Sequence, residues 1–157
     1  MRNSEMECVQ TKSALVARPV DSTARIGRQG QNLTPCITRG RCGATNISAG
    51  YVNMPPGKSS RAHFHAHSEV VVVCTDGYAA TLIGPDLIPH FHGPGEFMYI
   101  PEGVIHVAVN LSGTHNLIAV EMRTDPEFDD DVVLTPELET RAQVVAAELR
   151  RVRAAVV

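Results

Sequence analysis

The sequence predicts an all-β barrel or sandwich with one C-terminal α-helix. Three observations carry that prediction. First, the chain's 157 residues, 43% of them hydrophobic, match one globular domain that buries roughly two thirds of its unfolded surface and needs no disulfide or metal for stability. Second, residues 43–123 break into short β-like runs cut by Gly, Pro, Asp and Asn, with no helical period among them, as in antiparallel sandwiches and barrels. Third, a single helical pattern appears, and only after residue 135.

In chain order, residues 1–42 form a flank. Its one apolar stretch, Ala14-Leu15-Val16-Ala17, precedes a polar segment bearing Gly and Arg that reads as loop or edge structure. This flank is expected to pack on the barrel or on a partner subunit. The barrel, 43–123, takes strands from Thr45–Met54, Glu69–Thr75, Tyr78–Ile83, Glu96–Ile100, His106–Leu111 and Asn116–Met122. Residues 124–157 hold an acidic run, Glu127–Asp131, and then a helix. The run reads as a solvated loop, because it lacks the spaced Gly and Glu of a calcium loop. Leu138, Ala142, Val145, Leu149 and Val152 trace one helix face, Thr135 is placed to cap it, and Pro136 suits its first turn. That face is expected to pack on the barrel or on a second subunit.

Charge excludes some functions. The net charge of −3 lacks the basic excess of non-specific nucleic-acid binding. No apolar run reaches the ~18–20 residues that span a bilayer, and acids stand where a leader would be apolar, so a cytoplasmic protein is expected. Twelve Arg against two Lys in an Ala- and Val-rich chain point to a bacterial source. The four cysteines, Cys8, Cys36, Cys42 and Cys74, include no Cys-x-x-Cys pair and read as free, mostly buried thiols. Charge is also segregated. Residues 1–62 hold nine Lys or Arg and three acids, whereas 62–122 hold no Lys or Arg and all seven histidines. A fixed cation would compete with a metal there, and Arg61, at the border, is the basic residue of interest.

Two segments carry chemistry. In Gly57-Lys58-Ser59-Ser60-Arg61-Ala62-His63-Phe64-His65-Ala66-His67-Ser68-Glu69, residues two apart share a strand face, so His63 and His65 form a chelating pair. Glu69 is in reach as a third ligand if the chain stays extended or makes a small bulge. In Gly95 to Asn110, a strand ends at Pro101, Gly103 permits a tight turn, and His106 opens the next strand. Three imidazoles and a carboxylate suit one divalent Fe, Mn, Co, Ni or Zn, with positions left for substrate, water or O2.

These segments resemble the paired motifs of the cupin superfamily. The first motif is Gly, five residues, His-x-His, three or four residues, Glu, six residues, Gly. It is matched at Gly57, His63, His65 and Glu69, but seven residues separate Glu69 from Gly77. This extra residue is read as a hairpin variation that leaves the ligands intact. The second motif is matched throughout, at Gly95, Pro101, Gly103, His106 and Asn110. The resemblance implies a small single-domain cupin of the double-stranded β-helix (jelly-roll) type. It also implies metal ligands at His63, His65, Glu69 and His106.

Other residues are weaker candidates. Arg61 shares strand parity with His63 and is a candidate for holding a carboxylate or phosphate. Tyr99 and Glu121 are candidate proton-transfer groups, and Tyr51 and His67 are candidate substrate contacts. His90 and His92 lie between Pro and Gly and read as a loop, with one of them a candidate for lining the pocket mouth, and His115 reads as a turn residue. The expected function is metal-dependent chemistry on a small organic substrate, with dioxygenase-type oxidoreduction first and a cyclase, isomerase, epimerase or lyase second. A non-catalytic ligand- or metal-binding module is the competing class. The resemblance further implies a homodimer.

Overall fold

A computed structural model describes residues 13–154, so the expectation for Cys8 lies outside the described residues. The elements are β1 (Arg25–Ile26), β2 (Asn32–Ile37), α1 (Arg39–Cys42), β3 (Ser48–Met54), β4 (His63–His65), β5 (Val70–Asp76), β6 (Ala79–Ile83), β7 (Ile88–His92), β8 (Phe97–Ile100), β9 (His106–Asn110), β10 (Leu117–Arg123), β11 (Val132–Leu134) and α2 (Glu139–Ala154). They build two antiparallel sheets in the orders β1-β2-β3-β10-β5-β8 and β11-β4-β9-β6-β7. The six strand runs read from the sequence all form. Beyond them, β1 and β2 come from the flank and β11 from the acidic segment, so both sheets draw on residues outside 43–123.

Alternation decides which side chains face the barrel. On β10, Leu117, Ala119, Glu121 and Arg123 are buried while Met122 between them is exposed, as the period of two requires. β6 is buried on both faces. Ala79 and Thr81 line the barrel cavity, while Ala80 and Leu82 join Val107 and Val109 in a cluster under α2. Each large apolar side chain buried there contributes about 1.5–3 kcal/mol.

The helix packs on the barrel. Ala142 and Ala146 lie against this cluster, flanked by Leu138, Val145 and Leu149; their small size lets the helix approach closely. Two helix expectations are corrected. Thr135 makes no side-chain cap, because a 3-10 turn over Pro136–Leu138 precedes α2, and Val152, in the last turn of α2, is exposed. Arg150 ties the helix end to the barrel by donating to the carbonyls of Asn110 and Lys58, each at 2.8 Å.

Asn110 of the second motif is a clamp. Its Nδ2 donates to the carbonyls of Met54, Pro55 and His115, and its Oδ1 accepts from the Ser112 N–H. Gly50 is needed for another reason: a Cβ there would lie 2.7 Å from the Thr34 carbonyl and 2.8 Å from the Phe128 ring. Among the described residues Cys36, Cys42 and Cys74 are free, but Cys42, at the end of the short helix α1, is exposed. Ala14–Ala17 joins neither sheet, and Leu15 and Val16 are exposed. Among the described residues, no helix is long and apolar enough to cross a membrane.

Candidate metal centre

β4 and β9 are neighbours, with His63 directly opposite His106. His65, two residues along β4, faces the same side. The three rings therefore converge, with centroids 4.2–5.4 Å apart and one donor atom from each within 4.8 Å of the others. All three residues are buried.

Hydrogen bonds fix which nitrogens meet. His63 Nδ1 lies 2.8 Å from the Arg61 carbonyl and His106 Nδ1 lies 2.9 Å from the Val104 carbonyl. A carbonyl only accepts, so both Nδ1 atoms carry hydrogen. His65 Nδ1 donates in the same way to Asp131 Oδ1 at 3.1 Å. Each ring is left with an unprotonated Nε2, and that of His65 is buried with no hydrogen-bond partner among the described residues. Three neutral imidazoles, held by their second nitrogens and offering lone pairs to a common point, fit a divalent transition metal. Uncompensated, such a buried acceptor costs about 1–3 kcal/mol.

The surroundings keep these rings neutral. Burial pushes His63 well below the usual histidine range, aided by neighbouring His106. Burial takes His106 down to about 4. His65 is lowered by burial and by Arg123, with Asp131 partly opposing. In the unfolded chain these groups titrate near 6.5, so between that pH and about 4 the unfolded state binds more protons. Stability is fully present above 6.5 and is lost as pH falls through this window. For metal-free protein, His106 alone is expected to cost about 3 kcal/mol by pH 4. Urea midpoints recorded in EDTA from pH 8 to pH 4 check this; a flat profile would show that the cluster is not buried neutral.

Strand parity separates Tyr51, Tyr99 and Glu121, whereas Arg61 and His67 lie beyond the ends of β4 and Glu69 just before β5. Glu69, expected as fourth ligand, is exposed outside the cluster and accepts a hydrogen bond from the Tyr99 hydroxyl. Tyr99 is itself exposed on β8. Arg61 and His67 are exposed, and Tyr51 is on the outer face of β3. Glu121 is buried, lines the cavity with His63 and His106, and accepts from Arg123 Nε at 2.7 Å. Burial pushes its carboxyl up, but the guanidinium beside it prevails and holds it below the ordinary value.

Three features were not expected from the sequence, and a fourth, the place of His92 at the cavity, was only an alternative there. Ile88–His92 is a strand, its Pro89 tolerated because β7 is a sheet edge. This turns His92 inward, where Nε2 meets Thr81 Oγ1 at 2.9 Å and Nδ1 has no partner among the described residues. The acidic run is not simply solvated: Asp131 supports His65, Ser68 Oγ and the His67 N–H. Finally, a buried cation does stand beside the site. It is Arg123, just past the basic-free block, not Arg61, and Glu121 and Asp129 offset its charge.

The cavity within the barrel has room for about 40 Å³ and is walled mainly by Val52, Val70, Val72, Ile100 and Leu117, with Glu121, Thr81 and His92 as polar points. At ~10–15 Å³ per water, this holds a few heavy atoms.

Solved structures share this fold. An uncharacterized conserved protein with a double-stranded beta-helix domain from Klebsiella pneumoniae is 14% identical, with TM-score 0.60 over 78% of this chain and 98% of its own. KdgF from Halomonas sp. is 14% identical, with TM-score 0.60 over 75% and 98%. Lactobacillus farciminis oxalate decarboxylase in complex with formate is 19% identical, with TM-score 0.62 over 82% and 38%. The chain thus spans just over a third of that last protein. No curated protein sequence matches. The Cupin sequence profile matches residues 42–150, more than half of the chain, and with the two-sheet barrel it shows that the chain belongs to the cupin family.

Proposed function

We propose that His63, His65 and His106 hold one divalent transition metal and that the protein is a metal-dependent enzyme acting on a small organic molecule inside the barrel. The observation that carries this reading is the convergence of three buried imidazoles whose Nδ1 hydrogens are all engaged elsewhere. When bound, the metal supplies Lewis acidity toward a substrate oxygen and, if it is iron, a means of using O2. The chain's own residues do the rest. Asp131 and the Arg61 and Val104 carbonyls orient the rings, the valine-rich wall excludes water, and Thr81 and His92 offer hydrogen bonds to the substrate's far end. The 40 Å³ of room favours a substrate of a few heavy atoms.

Dioxygenase-type oxidoreduction is the first reading. A non-redox reaction such as lyase or isomerase chemistry is the second, favoured by a carboxylate, Glu121, at the cavity wall and in keeping with the decarboxylase among the structural neighbours. The test is to purify the protein without a metal-chelating tag, measure bound metals, and assay small hydroxy- and oxo-acids with and without O2. About one metal per chain and substrate-dependent O2 uptake are expected. Turnover that persists anaerobically selects the second reading; no metal uptake from Fe, Mn, Co, Ni or Zn sinks both.

A further inference from the structure

We propose that the carboxylate serving this metal centre is Glu121 of β10, held by Arg123, and not Glu69 of the first motif. The inference rests on the reading that the three histidines hold a metal.

The seven-residue interval before Gly77 is where the two candidates part. The family motif has six residues between its Glu and its Gly, and the residue separated from Gly77 by six others is Val70, not Glu69. Strand parity gives the shift physical meaning. Val70, Val72 and Cys74 of β5 line the cavity, so a residue at 69 belongs to the other face. Glu69 is exposed there and bound to Tyr99. β5 takes up the seventh residue as a bulge at Thr75, where Ala119 faces Cys74 and Ile118 faces Asp76, so the inward face at the start of the strand is given by Val70 and Val72 and not by Glu69.

β10 crosses the same cavity, and its inward residues end in Glu121 and Arg123. Glu121 is the acidic side chain among the cavity-lining residues that include His63 and His106. Arg123 Nε holds Oε1 at 2.7 Å, so the carboxylate is fixed before anything binds, and Oε2 has no protein donor among the described residues. The set of ligand atoms lying within 4.8 Å of one another stops at the three histidines. Glu121 therefore stands outside that set, where, with a metal held by the histidines, its carboxylate would accept a hydrogen bond from a hydroxyl in the cavity. It also supplies negative charge to a cation whose three ligands are neutral. Losing a partner of this kind typically weakens metal binding 10–100-fold.

Co(II) alone is the probe, with affinity measured by chelator competition and coordination followed by its visible absorption. Glu121→Gln is expected to weaken Co(II) binding 10–100-fold and to shift the spectrum, while Glu69→Gln leaves both unchanged. Because Glu121→Gln strands Arg123, the double variant Glu121→Gln/Arg123→Met is measured beside it; lacking both charges, it is expected to fold and to show the same weakened binding. The proposal is overturned if Glu69→Gln weakens binding as much as Glu121→Gln, or if the folded double variant binds Co(II) like wild type. If wild type binds no Co(II), the metal reading itself falls, an outcome distinct from either.

Discussion

Alanine at His63 or His106 is expected to abolish stoichiometric metal binding while the barrel stays folded. Each histidine supplies one of three donor atoms that lie within 4.8 Å of one another, and removing either leaves two neutral imidazoles, too few for a tight site. The effect is legible as stability. A metal present at 100 times its Kd stabilises the wild type by about 2.7 kcal/mol, which for a chain of this size is a rise of roughly 5–11 °C in Tm. In both variants that rise is expected to vanish. His67→Ala, at an exposed position, is expected to keep it. Elemental analysis with thermal melts in EDTA and in added metal checks this. A full metal complement in folded His106→Ala would refute the assignment of the site.

The histidine cluster was readable because its determinants are local. His63 and His65 share a strand face through a spacing of two, and Pro101, Gly103 and His106 lie in one short segment. The six main strands were readable for the same reason, each an apolar run ended by turn residues. Residues whose role depends on a distant partner were not readable. β2 is recognisable as a strand only once β3 lies beside it, from Asn32 opposite Asn53 to Ile37 opposite Ala49. Asp131 looks like one acid among several until the pairing of β11 with β4 brings it to His65. Glu69 shows the opposite case, since its spacing from His65 fits the motif while its spacing to Gly77 does not and its side chain is exposed. The extra residue before Gly77 was visible in the sequence, but where it is taken up follows only from the pairing, in which β5 runs without a bulge from Val70 to Val73 opposite β8 and bulges at Thr75 against β10. The basic-free block was likewise a sound observation with an incomplete reason. Buried neutral histidines are kept from wide fixed charge, yet one guanidinium is admitted where two carboxylates meet it.

That guanidinium sets the second large effect, because Arg123→Met is expected to destabilise the fold by about 3–5 kcal/mol, the usual cost of removing one partner from a buried pair. Arg123 is among the most buried side chains, at 2% exposed. It donates to Glu121 and to the Phe128 carbonyl, lies 3.7 Å from Asp129, and its guanidinium sits 4.7 Å above the Phe128 ring. Phe128 is wholly buried with φ at 77°, a conformation that costs a bulky residue about 1–3 kcal/mol unless its surroundings enforce it. Methionine fills much of the volume but leaves the Glu121 carboxylate without its donor and Phe128 without its anchor. The paired variant separates these losses. Adding Glu121→Gln removes the stranded charge, so the double variant is expected to be more stable than Arg123→Met alone, a non-additivity that neighbouring groups show when they form one network. Urea unfolding of the metal-free proteins at pH 7.5, followed by circular dichroism, measures both. A loss under about 1 kcal/mol for Arg123→Met, or strictly additive losses in the pair, would mean that Arg123 neither neutralises Glu121 nor pins the Phe128 turn, and its burial would then need another cause.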